Sequence, residues 1–153
     1  GLNLLLLGGM QLRVDGRAVD LADTFGYKGM MFSGVPNMAV AFGYTNASWT
    51  LKADLSSEFL CRVLNHMQAR HKQIVTPQLD DPGMQQMPWL DFNSGYVMRA
   101  SDQLPRQGAQ MPWRLYQNYL KDLLLFKFSK LEDGVLRFSA PVASQPTRPV
   151  LPI

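Results

Sequence analysis

The 153-residue sequence is short of cysteine, histidine and charge, and it contains no long apolar run. A single cysteine, Cys61, excludes an internal disulfide framework and any multi-cysteine metal site. The two histidines, His66 and His71, do not have the spacing that sets two imidazoles on one helical face, and no HExxH occurs, so no metal site is expected. The longest aliphatic run, Leu4 to Leu7, falls far below the ~20 residues that cross a bilayer, and no membrane span is expected. Fifteen basic against twelve acidic residues leave a net charge of +3, too small a field to argue for nucleic acid. There is no GxGxxG, and the Gly29 to Gly34 stretch lacks the Lys-Ser/Thr ending of a phosphate loop. No basic segment precedes Leu4 and no small-residue cleavage site follows Leu7, so no secretory signal is read and a cytoplasmic, reducing setting is expected. The chain opens on Gly1, as expected of a processed product or a piece of something longer.

What the sequence does have is 46% hydrophobic residues, enough to exclude intrinsic disorder. Its length suits one domain or part of a larger one. Residues 1–36 read as extended chain and turns. Leu12 to Val14 and Arg17 to Val19 alternate around Asp15-Gly16, a favoured hairpin turn. Met38 to Phe42 is a nearly continuous apolar run, the pattern of a strand buried on both faces. Gly43 and a polar loop follow, and then Leu51, Leu55, Phe59, Val63 and Met67 recur every fourth residue, widened by Leu60 and Leu64. That spacing predicts an amphipathic helix, with Asn46 or Ser48 as its N-cap and Lys52, Ser56, Ser57, Arg62 and Asn65 mainly on the polar side. Strand, glycine, loop and helix make a βα unit, and the fold class expected is α/β.

Further on, Gln73 to Thr76 reads as a short strand ended by Pro77, and Asp80 to Gly83 as a turn. The segment from Gln85 to Gln110 should wrap over something apolar. A second helix is predicted directly after Pro112, carrying Trp113, Leu115, Tyr116, Tyr119, Leu120 and Leu123 to Leu125. Val135 to Phe138 reads as a terminal strand after Asp133-Gly134. The proline-rich residues 140–153 are expected to be an irregular or disordered tail.

Catalytic side chains are scarce. His66 and His71 read as polar residues at a helix end, Cys61 as an inert thiol packed in the core, and no residue is singled out as an acid or base. One place stands out. In α/β sheets ligands gather where strands end and helix N-termini present free amides, and the loop Gly43 to Trp49 occupies such a position. A glycine there would let a flat ligand come close. On the residues alone, that reading and a purely structural turn stand level.

These residues carry a resemblance. Tyr27 to Met38, continuing through Gly43-Tyr44-Thr45-Asn46-Ala47-Ser48-Trp49-Thr50-Leu51 to Leu55, resembles the C-terminal part of bacterial flavin-containing, Baeyer–Villiger-type monooxygenases, nearest the ethionamide-activating type. Phe92 to Arg99, Leu104 to Gly108, and Pro112 to Leu120 look like the same family in the same order. The resemblance spans roughly residues 1–139. It implies a parent that binds FAD and NADPH and uses oxygen to convert ketones or to oxidise sulfur and nitrogen compounds. It also implies an incomplete FAD-binding Rossmann-like segment at 1–70, and an irregular α+β extension at 71–139 packed on it. The glycine-rich fingerprints of the family would lie in a missing N-terminal portion, and the chain alone would be inactive. By position, Gly43, Tyr44, Thr45, Asn46, Ala47 and Ser48 would border the flavin, and Trp49, Thr50 and Leu51 the cavity for a ketone or thio-compound. The rival expectation is a stand-alone interaction module, or a truncated gene product, without catalysis.

Overall fold

A computed structural model of the chain describes residues 6–90 and 99–141. The expected features at residues 3–5, most of the Phe92 to Arg99 motif and the tail beyond residue 141 lie outside them. A short 3-10 turn at Leu6–Gly9 leads into the hairpin of β1 (Leu12–Val14) and β2 (Arg17–Val19), paired antiparallel with Leu12 opposite Val19. The Asp15-Gly16 turn forms as expected, both residues taking positive φ, which the missing side chain of Gly16 tolerates without strain. A second small antiparallel pair joins β3 (Gly26–Tyr27) to β4 (Met31–Phe32).

The long helix α1 (Trp49–Ala69) forms where the four-residue apolar repeat placed it, and Leu55, Phe59, Val63 and Met67 are buried. Its buried face is turned from the expected one. Leu51 and Leu64 are exposed, whereas Lys52 and Ser56 are buried and Arg62 is half-buried. The reason is α2 (Tyr119–Phe128), which lies against α1 and offers polar partners. Asp122 Oδ2 sits 2.8 Å from Lys52 Nζ, and the carbonyls of Phe126 and Ser129 accept from the Arg62 guanidinium. Cys61, expected in the core, faces solvent for the same rotational reason.

The second helix begins at Tyr119, six residues later than predicted. Residues 113–118 form no helix, because Trp113 is buried against the rings of Phe25 and Tyr27 and the Leu115 amide donates to Gln107 Oε1. Asn118 then caps α2 by accepting from the Lys121 amide at 3.0 Å. Beyond α1, β5 (Ile74–Pro77) pairs antiparallel with β8 (Leu136–Ser139), as the two predicted strands allow, and β6 (Gln86–Pro88) pairs with β7 (Arg106–Gly108). Asp133 shapes the turn into β8 by accepting from the Val135 and Leu136 amides.

The expected strand at Met38 to Phe42 is not formed. These residues carry no strand pairing, and Ala41 is exposed while its neighbours are only half-buried. Among the described residues the segment is tied by the Val40 amide to the Met30 carbonyl at 2.7 Å, one bond rather than a ladder. A strand needs a neighbour to satisfy alternate amides and carbonyls. The architecture is α/β, built of two helices and small antiparallel pairs among the described residues, and a Rossmann-like sheet is not present in them.

Two apolar clusters organise the molecule. The larger joins α1, α2, β5 and β8 around Phe59, Val63, Phe126 and Leu136, with Tyr27 and Trp113 on its edge. The smaller gathers Phe32, Val35, Trp89 and Leu104, with Leu12, Val19, Met38 and Val40 packed against it. No helix is long and apolar enough to cross a membrane among the described residues.

Candidate functional site

The turn from Gly43 to Ser48 lies at the junction of the two clusters, and α2 together with its preceding segment holds it in place. The Thr45 amide donates to Gln117 Oε1 at 3.1 Å, and Asn46 Nδ2 donates to the Gln117 carbonyl at 3.2 Å. Tyr44 is buried, and its hydroxyl donates to Asp122 Oδ2 at 2.7 Å. The same carboxylate oxygen meets Lys52 Nζ, in the first turn and a half of α1, so one buried acid pins both the turn and the helix that follows.

The electrostatics of this anchor follow from burial. Desolvation pushes the Tyr44 hydroxyl well above its ordinary range, reinforced by the hydrogen bond to Asp122. It pushes the Lys52 ammonium down, against the attraction of Asp122. Phe126 lies 4.3 Å from Lys52 Nζ and offers its ring face to the cation. A second buried lysine, Lys28, donates to the Leu125 carbonyl and the Ser129 hydroxyl, and its Nζ stands 4.7 Å from the centre of the Phe59 ring. Burial lowers its pKa to about 8.

The free amides expected along this loop are only partly available. Thr45 spends its amide on Gln117. Gly43 is buried, and a Cβ there would meet the Trp49 indole at 2.2 Å. The room expected for a flat ligand over Gly43 is therefore filled by the chain's own Trp49, which also packs on Phe42 at 5.2 Å. What stays open is the far side of the turn. Asn46, Ala47 and Ser48 are exposed, as are Thr50 and Leu51, and Ser48 occupies the N-cap position without capping any amide. The first-turn amides of a helix have no partner within it, so α1 presents donors and the positive end of its dipole beside these residues. This fits an electron-rich group of a flat cofactor better at Asn46 to Ser48 than at Gly43.

Beside Thr45 and Asn46 opens a cavity of about 480 Å³, walled by Trp89, Leu115, Tyr116 and Gln117, with Arg114 at its edge. Its volume falls in the range of small-molecule sites. Sequence reasoning missed these walls, since residues 87–90 and 107–117 come together only through β6, β7 and the non-helical 113–118 segment. It also missed Lys52, Tyr44 and Asp122 as one buried unit, since the apolar repeat placed Lys52 on the polar side of the helix. His66 packs on Phe138 with Nε2 3.2 Å from Glu132, and His71 is exposed at the helix end. No group of three or more metal-ligating side chains is present among the described residues.

With this geometry in hand, the comparisons with known proteins are specific. The chain is similar to the FAD-containing monooxygenase EthA of Mycolicibacterium smegmatis, at 52% identity over 139 residues, 91% of this chain and 28% of that protein. It is similar to EthA of Mycobacterium tuberculosis, at 51% over 145 residues, 93% of this chain and 30% of the relative. A protein of Acinetobacter baylyi named "Probable FAD-binding monooxygenase AlmA" is 40% identical over 139 residues, 90% of this chain and 28% of its own length. The chain thus spans less than a third of the length of these relatives. No protein-family model matches it. No solved structure matches it either.

Proposed function

We propose that this chain, homologous over more than nine-tenths of its length to a segment of FAD-containing monooxygenases, is the part of such an enzyme that presents the Asn46-Ala47-Ser48 face to FAD. The observation that carries the reading is the uncapped start of α1 beside a turn that Gln117 and Asp122 hold rigid. Bound FAD, reduced by NADPH, would supply the oxygen-transfer chemistry, with a ketone or a sulfur or nitrogen compound as substrate. The residues here have a supporting task. Asn46 offers a side-chain amide, although one of its hydrogens is engaged by the Gln117 carbonyl. Ala47 and Ser48 leave the first-turn amides of α1 unobstructed, and the dipole of a 21-residue helix favours negative charge on a ligand at its start. Tyr44 does not touch the cofactor in this reading; through Asp122 it fixes the turn. Trp49 shields the turn from water by lying over Gly43. Thr50 and Leu51, exposed on the first turn of α1, remain the residues that border the substrate. The setting proposed is the cytoplasm.

The reading is tested on the longer protein that carries this segment. It should purify yellow and oxidise NADPH in the presence of a ketone or thioether. Replacing Ser48 with Pro, which removes one amide and disturbs the helix start, should lower flavin content while leaving the helix signal in circular dichroism. A colourless full-length protein that FAD does not protect against heat contradicts the proposal. The 153-residue chain on its own should retain no FAD, since a dinucleotide needs a pyrophosphate-cradling glycine turn that these residues do not contain.

A further inference from the structure

The cavity beside Thr45 and Asn46 has an unbalanced wall. Four of its acceptors are engaged from within the chain. Gln117 Oε1 accepts from the Thr45 amide and the Gln117 carbonyl from Asn46. Gln107 Oε1 and the Pro88 carbonyl, also on the wall, accept from the Leu115 amide and from Gln107 Nε2. Its cation is not balanced. Arg114 is half-buried and lines the cavity, yet no carboxylate among the described residues lies within ion-pair distance of it. Its one side-chain hydrogen bond among the described residues, to the Ala109 carbonyl, is long at 3.4 Å. Its guanidinium carbon stands 5.5 Å from the centre of the Tyr116 ring, and Lys121 Nζ lies 4.9 Å from the same centre. Two cations thus flank one aromatic ring, and neither has an acidic partner among the described residues. A partly desolvated guanidinium without a counter-charge is costly, and Arg is suited to planar, bidentate recognition of carboxylate or phosphate.

We infer that this cavity is a binding site for a small anion carried on a flat, apolar body, with Arg114 as its counter-charge and Trp89 and Tyr116 as the walls against which the body packs. The cavity adjoins the helix start assigned to flavin and shares Asn46 with it, but Arg114, Trp89 and Tyr116 lie outside that face, and the inference goes beyond that reading. The anion could be the carboxylate of a small substrate or the phosphate of a nucleotide. Both would use the same fork of Arg114; inorganic phosphate brings no flat body, so of the two anionic probes only an aromatic carboxylate gains from the ring walls.

The experiment uses the full-length protein with FAD occupancy recorded by absorbance, and reads binding of benzoate, of inorganic phosphate and of neutral acetophenone by calorimetry. Benzoate should bind at least tenfold tighter than acetophenone, because a charge-assisted hydrogen bond outweighs a neutral one. Benzoate tighter than phosphate assigns the site to a carboxylate ligand, and phosphate tighter than benzoate assigns it to a nucleotide. Arg114→Met should remove the preference for either anion, and Arg114→Lys should restore part of it, with FAD occupancy unchanged in both. Should Arg114→Met fail to fold, Trp89→Phe and Tyr116→Leu serve instead: each should weaken benzoate and acetophenone together while leaving phosphate unaltered. The inference is overturned if wild-type protein shows no preference for the anions, or if Arg114→Met binds benzoate as wild type does. It is overturned equally if FAD and benzoate are lost together in that variant, since Arg114 then serves the cofactor. A full-length protein that holds no FAD yet binds benzoate through Arg114 refutes the flavin reading alone.

Discussion

The helix pair and the segment ahead of it solve the same problem in opposite ways. Between α1 and α2 the buried cations named above have partners: Lys52 meets Asp122, Lys28 meets a carbonyl and a hydroxyl, and Arg62 meets two carbonyls, while the small Ser56 hydroxyl is left without one among the described residues. Residues 38–42 are as apolar as any stretch in the chain, yet they stay half-buried and carry a single backbone bond among the described residues. Apolar content alone therefore does not make a core. The helices satisfy their backbone internally and need only side-chain partners, whereas an extended segment needs another strand before burial is affordable.

The sharpest way to break this contrast is at Asp122. Asp122→Ala strands the Lys52 ammonium in the interior and removes the acceptor of the Tyr44 hydroxyl, so a loss of about 3–5 kcal/mol is expected in urea unfolding. The paired change Lys52→Met with Asp122→Leu should cost much less, because no unpaired charge is left. If the single and double variants lose equal stability, the ion pair is not what holds α1 to α2. Phe59→Ala, at the centre of the larger cluster, should cost a similar ~3–5 kcal/mol by opening a cavity beneath Lys28 and Phe126.

Lys28 sharpens the comparison through pH. Its folded pKa of about 8 lies below the ordinary lysine value, so between these two pKa values the unfolded chain binds more protons than the folded one. Stability should accordingly rise from about pH 8 toward pH 10, until the raised pKa values of Tyr27 and Tyr44 oppose it by favouring tyrosinate in the unfolded state. Lys28→Met should flatten the rise in the urea midpoint; an unchanged slope would mean that Lys28 is solvated in the folded protein. A smaller effect is expected at Gly43→Ala, whose methyl would collide with Trp49 and cost about 1–3 kcal/mol. Adding Trp49→Ala should return most of that loss. The smallest effect is expected on the outer face of α2, where Leu124 is exposed: Leu124→Ala should change the stability of this chain by no more than ~0.5 kcal/mol, against a large loss for its neighbour Phe126.

Much of the fold was legible because it rests on local rules. The turn at Asp15-Gly16, the helix over 49–69 and the two strands that became β5 and β8 follow from turn chemistry and periodicity. The start of α2 was misplaced, since Pro112 is an acceptable first helical residue and only the burial of Trp113 against Phe25 and Tyr27 forbids it. The rotation of α1, which sinks Lys52 and lifts Leu64 and Cys61, could not be read from a stripe that is apolar on more than one side. At the candidate site the position of the turn was legible, while its roof at Trp49 and its anchor at Gln117 were not.

By itself the sequence determined which segments are helical, where the hairpin turns, and that a polar turn leads into a long helix, because these depend on neighbours within about four residues. Only the tertiary structure decided which face of α1 is inside, which lysines are paired, and that residues 87–90, Gln107 and residues 114–117 wall a cavity beside the turn. Those outcomes depend on groups some 70 residues apart, such as Tyr44 and Lys52 meeting Asp122, and burial sets their energies through desolvation.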